Sequence, residues 1–159
     1  MDFIDSFSSL HEVPLASLVT DFYHCLNDFV AGKNNKFLKL WHEGPESVLY
    51  FNLDERERGG ENIRRCFQEI QGVLLRAPVR VSVTPLQLVF YQSQDLAYAV
   101  IMEKSQAQSP SRPVLDEHRS TIVWRLFKKS WKVVHYHADT YTRRHEALSE
   151  LLRSYHRQG

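Results

Sequence analysis

Beyond Ala77-Pro78 this chain changes its period, and that change narrows the folds open to it more than any other feature. Upstream, apolar residues recur every three or four positions. Downstream, Val79, Val81 and Val83 alternate with polar residues, and β-rich runs follow at Leu86 to Tyr91, Leu96 to Glu103, His118 to Phe127 and Trp131 to Asp139. A period near 3.6 marks a helix with one buried face, and a period of two marks a strand. Helices followed by long strands predict an α+β class, with the helices segregated to one face of a curved antiparallel sheet.

The helical half divides into three pieces. From Pro14, which suits a first helical turn, Leu15, Leu18, Val19, Phe22, Tyr23, Leu26, Phe29 and Val30 keep helical spacing up to Gly32, which suits a C-terminal cap. A short second helix is predicted from Asn35 to His42, ended by Gly44-Pro45, and a short strand from Ser47 to Phe51. After the charged loop Asp54 to Arg58 and Gly59-Gly60, residues Ile63, Phe67, Ile70 and Leu74 predict a third helix. In the second half, Ser105 to Pro113 reads as a loop, and Lys128-Lys129-Ser130 as the turn of a closing hairpin. Leu148, Leu151, Leu152 and Tyr155 predict a C-terminal helix over about 142–157. With no repeat or linker, residues 1–159 read as one domain, its core at about 14–140.

At 159 residues a single core suffices without a disulfide or metal staple. Hydrophobic residues make up 43%, charged residues 25%, and the net charge is +1, so nothing marks a nucleic-acid partner; the late basic residues are interrupted by Asp139, Glu146 and Glu150. Cys25 and Cys66 form no Cys-x-x-Cys pair. No apolar run approaches the roughly 18 residues of a membrane span, and the expectation is a cytoplasmic protein that needs no cofactor or metal.

The last predicted strand carries the densest chemistry. By strict alternation Trp131, Val133, His135, His137 and Asp139 share one face, while Lys132, Val134, Tyr136 and Ala138 share the other. Two imidazoles beside a carboxylate can move protons, bind a metal, or hydrogen-bond across a subunit boundary. The remaining histidines form no second motif that would complete a metal site. Arg119 and Thr121 share a face of the neighbouring strand, and Arg119 with Asp139 is the simplest ion pair. His135, His137, Asp139 and Arg119 are thus the candidate catalytic residues.

The segment Val123-Trp124, a Lys-Lys turn, then Trp131-Lys132-Val133-Val134-His135-Tyr136-His137, with Arg119 and Thr121 upstream, resembles the nuclear transport factor 2-like superfamily. Within that superfamily the chain is similar to SnoaL-like proteins and to the association domain of calcium/calmodulin-dependent kinase II. The resemblance runs from about Leu15 to Asp139 and implies a cone-shaped α+β fold enclosing a pocket, in a homodimer. The pocket arginines of the kinase domain align here with Met102, Ile122 and Ala138, which removes that anion site. The same alignment puts Met102, Ile122, Trp124, Tyr136 and Ala138 on the pocket side and turns the histidines toward an interface; a β-bulge would reverse the assignment. Trp41, Tyr50, Tyr98, Met102, Trp124 and Tyr136 are the candidate ligand contacts. Glu103, a carboxylate on a central strand, falls on the face opposite Met102, which weakens a reading as a ketosteroid-isomerase-like site. Two functions stay open: a domain that binds a mostly apolar small molecule, with cofactor-free isomerase, dehydratase or cyclase chemistry, and a non-catalytic assembly module.

Overall fold

The structure, a computed structural model, describes residues 15–51, 56–110 and 113–140. Helices α1 (Leu15–Val30), α2 (Lys36–Lys39) and α3 (Gly60–Arg76) pack on one side of six strands: β1 (Val48–Phe51), β2 (Arg56–Arg58), β3 (Arg80–Gln92), β4 (Leu96–Gln108), β5 (Val114–Phe127) and β6 (Ser130–Thr140). Their spatial order is β2-β1-β6-β5-β4-β3. The α+β class and the segregation of helices are as expected, with four corrections. The sheet is mixed, because β1 runs parallel to β6. Arg56–Arg58, read as loop, is a short strand paired with β1. The second helix is only one turn long. Strand β4 continues through Gln108 where a loop was expected, since Ser105 to Gln108 pair with Arg80 to Val83 of β3. The predicted C-terminal helix lies outside the described residues.

Helix α1 buries Leu15, Val19, Phe22, Tyr23, Leu26 and Phe29, the stripe that its spacing dictates. It ends at Gly32, whose φ of 72° is left-handed. Lys33 N–H donates to the Asp28 carbonyl and Gly32 N–H to the Phe29 carbonyl, both at 2.9 Å, which together form a Schellman cap. In the same last turn the helix is sewn to the sheet edge: Asn27 Nδ2 donates to the Val83 carbonyl at 2.8 Å, and Val83 N–H donates to Asn27 Oδ1 at 2.7 Å. One side-chain amide there supplies the donor and acceptor of a missing neighbour strand. The hairpin between β5 and β6 turns through Lys128 (φ 47°) and Lys129 (φ 70°), the paired positive values of a type I′ turn.

Between helices and sheet lies an aromatic core. Phe22, Phe29 and Phe37 are fully buried, with Trp41, Phe67, Trp124 and Tyr136 beside them. Most of the ring pairs meet edge-on, the favoured aromatic geometry. Among the described residues no helix is long and apolar enough to cross a membrane.

Candidate functional site

The register of the four long strands sorts every candidate residue onto one face or the other. On the concave, helix-covered face the cross-strand rows are Pro85, Glu103 and His118; Leu88, Ile101, Ser120 and Ala138; Phe90, Ala99, Ile122, Tyr136 and Leu49; and Gln92, Ala97, Trp124 and Val133. On the convex face they are Met102, Arg119 and Asp139; Val89, Val100, Thr121, His137 and Tyr50; and Tyr91, Tyr98, Val123, His135 and Val48. Trp41, Trp124 and Tyr136 are therefore interior, whereas Tyr50, Tyr98 and Met102 are not. Met102 was expected to share a side with Ile122 and Tyr136. It pairs instead with Arg119 and faces outward, which makes the face of Glu103 the inner one.

Strand β6 changes parity midway. Trp124 pairs with Val133 and Val123 with His135, leaving Val134 as an extra residue in the ladder. Before this bulge the odd-numbered Val133 points into the core; after it the even-numbered Tyr136 and Ala138 do. Trp131 and Val133 thus do not share a face with His135, His137 and Asp139, contrary to strict alternation.

The concave face holds a polar centre. Glu103 is 1% exposed and accepts three hydroxyl donors: Tyr23 Oη at 2.5 Å and Ser120 Oγ at 2.6 Å to Oε1, and Tyr136 Oη at 3.0 Å to Oε2. Each donor is itself buried. Burial, followed by the nearby Glu103 charge, pushes both phenols far above the usual tyrosine range, so each keeps its proton and remains a donor. His118 stands opposite Glu103 in register on the same face, with 18% of its side chain exposed and Asp116 Oδ2 3.7 Å from Nε2. Along β3 the same face is open among the described residues: Leu88 is 39% and Phe90 51% exposed although both point inward. Sequence reasoning noticed Glu103 but missed Tyr23, Ser120 and their convergence. The available signal was the alternation Ala97, Ala99, Ile101, Glu103, small and aliphatic residues that lead to one acid.

The convex cluster is looser. His137 Nε2–H donates to Asp139 Oδ1 at 2.9 Å, Arg119 lies 3.9 Å from the other oxygen, and the Tyr50 ring meets His137 edge-on at 5.0 Å. Among the described residues no three His, Cys, Asp or Glu side chains gather as a metal site requires. Burial, and then the charge of His137, holds His135 below the usual histidine range. A lowered folded value means that the unfolded chain binds the proton first, so this residue's contribution is intact above about pH 6.5 and declines as pH falls below it. His135→Gln is expected to flatten the loss of urea midpoint between pH 7.5 and 5.5; an unchanged slope would assign that loss to other groups.

A profile for the SnoaL-like domain matches residues 16–140 of the chain. Among solved structures, a protein with a cystatin-like fold from Caulobacter vibrioides is 12% identical, with a TM-score of 0.65, and 87% of this chain and 97% of that one are covered. A protein described as a calcium/calmodulin-dependent protein kinase II association domain from Xanthomonas campestris gives 14%, 0.63, 88% and 96%. One described as a dehydratase of the NTF2-like family from Streptomyces avermitilis gives 14%, 0.66, 80% and 94%. At such identities the likeness is one of fold. No curated protein matches the sequence.

Proposed function

We propose that this chain, which belongs to the SnoaL-like domain family, is a self-associating domain that binds a mostly apolar small molecule and moves a proton on it with Glu103, without a cofactor. The observation that carries this reading is a carboxylate 1% exposed, ringed by hydroxyl donors, on the same concave face as the uncovered Leu88 and Phe90. An apolar body lying over those two side chains would bring its polar head toward the carboxylate and His118.

The chemistry follows from donor counting. Each phenol owns one proton and spends it on Glu103. When Glu103 takes a proton from the carbon next to a substrate carbonyl, its capacity to accept falls, and a tyrosine hydroxyl is released to turn toward the oxygen on which charge develops. Isomerisation, dehydration and cyclisation of carbonyl compounds can each begin with this step. His118, opposite Glu103 in register and with 18% of its side chain exposed, would return a proton to product in this reading.

Proton abstraction can be read without knowing the substrate. 2-Tetralone, a flat ketone with acidic C–H groups, is incubated with the protein in D₂O and deuterium uptake is followed by NMR. Uptake faster than in buffer is expected, with an enzymatic component at least ~100-fold lower in Glu103→Gln, the size of a general-base contribution. Exchange no faster than in buffer, or unaffected by the variant, would count against the proposal.

For self-association the supporting observation is the convex face, where Val89 is 71%, Tyr91 52% and Val100 47% exposed. A second copy applied there would cover this strip and bring His135, His137, Asp139 and Arg119 to the subunit contact rather than to the chemistry.

A further inference from the structure

A second concave feature has Trp41 in its wall. It is a cleft of about 650 Å³ between α2, the segment leading to β1, the start of α3 and the start of β6, bordered by Lys39, Trp41, His42, Glu43, Arg64 and Lys132. We infer that it is a binding site for the phosphate group of a small organic phosphomonoester.

The first argument is charge. Three cations face one carboxylate there, in a chain whose whole net charge is only +1. The Lys132 ammonium has no carboxylate partner among the described residues; one of its three protons goes to the Lys39 carbonyl at 2.7 Å, which holds the group in place and leaves two donors. The side chain of Lys39 has no ion-pair or hydrogen-bond partner among the described residues. Arg64 is paired with Glu43 Oε1 at 2.6 Å, but the Glu43 side chain is 81% exposed, and an incoming dianion competes with a well-solvated partner of that kind. His42 is engaged elsewhere, with Nε2 3.0 Å from Glu46 and its ring stacked 3.9 Å from that of Phe127. A guanidinium with two ammonium groups is a donor set suited to phosphate, the first for its planar fork and the others as point charges.

The second argument is that the walls are fixed. Val133 N–H donates to the Leu40 carbonyl at 2.8 Å and His42 N–H to the Val133 carbonyl at 2.9 Å, so the Leu40–His42 backbone is tied to β6. A Cβ on Gly60 would stand 2.5 Å from the His42 carbonyl oxygen and 2.6 Å from Glu43 Cα; only glycine admits α3 so close to this segment. The floor includes Leu38 and Trp41, 6% and 2% exposed. A volume of this size exceeds that of a bare phosphate and matches a ligand with an apolar body.

The test is a heteronuclear NMR titration of the full chain with phenyl phosphate and, separately, inorganic phosphate at low salt. Saturable shifts of the Trp41 indole and the amides of Asn35 to Glu43 are expected, tighter for phenyl phosphate. The double variant Lys39→Gln/Lys132→Gln is expected to weaken binding tenfold or more. Lys128→Asn/Lys129→Asn removes the same charge at the hairpin turn, where asparagine tolerates the left-handed backbone, and is expected to change affinity less than twofold. No saturation by 20 mM ligand, shifts elsewhere on the chain, or equal weakening by both double variants would overturn the inference.

Discussion

Phe22→Ala is expected to destabilise the domain by about 3–5 kcal/mol, the range for deleting a fully buried phenylalanine. The ring is 0% exposed and stands where α1 meets the sheet, edge-on to Tyr23 at 5.3 Å, Phe37 at 5.3 Å, Trp124 at 6.4 Å and Tyr136 at 5.2 Å. Those neighbours come from α1, α2, β5 and β6, so no single element can shift to fill the void. Against a total stability of about 5–15 kcal/mol the loss is about a fifth or more, visible as a large fall in urea midpoint. Two of the four neighbours also hold Glu103. The cavity should therefore loosen the polar centre, and Phe22→Leu, which refills most of the space, should recover the greater part of both losses. A cost below 1 kcal/mol would mean that α1 does not pack as described.

Replacing Tyr98 and Val100 together with lysine is expected to break the proposed self-association, raising its dissociation constant at least ~1,000-fold, or about 4 kcal/mol. Tyr98 is 37% and Val100 47% exposed, and both lie in the middle of the convex rows, so neither contributes to the aromatic core. A two-fold contact uses the same patch twice, and each substitution thus places two charges in one interface. Sedimentation velocity over a concentration series reads the outcome directly, with an unchanged urea midpoint at low protein concentration as the control for folding. If the wild-type chain sediments as a monomer at micromolar concentration, or if the variant dimerises equally well, the convex face is not the contact.

The layout of the fold was legible because its signals are local. Eight apolar positions of α1 fall on one stripe, Gly32 ends it, and two lysines turn the last hairpin; each needs only its neighbours in sequence. What escaped depends on partners far along the chain. The three hydroxyls that hold Glu103 come from residues 80, 17 and 33 positions away, so the alternation Ala97, Ala99, Ile101, Glu103 could mark the acid as inward but not name its company. The parallel pairing of β1 with β6 and the three-residue β2 are likewise tertiary facts, since strands so short have little periodicity of their own. Parity in β6 failed for another reason. Alternation is reliable only while the ladder stays in step, and nothing in Val133-Val134, two similar residues, announces that one of them is supernumerary.

That extra valine makes the length of β6 as consequential as its composition. Each half of the strand addresses the interior in its own phase, and Val134 is the joint between them. A ladder that took Val134 into step, pairing it with Val123, would keep every side chain, yet from that point on it would trade the tenants of its two faces. The imidazoles of His135 and His137 would enter the aromatic interior, and the Tyr136 hydroxyl would leave Glu103 for solvent. A relative that simply lacks this residue would keep the same two faces on a regular strand, whereas one that retains it without the bulge would present opposite chemistry outward. Alignments across this strand should accordingly be anchored separately on its two halves.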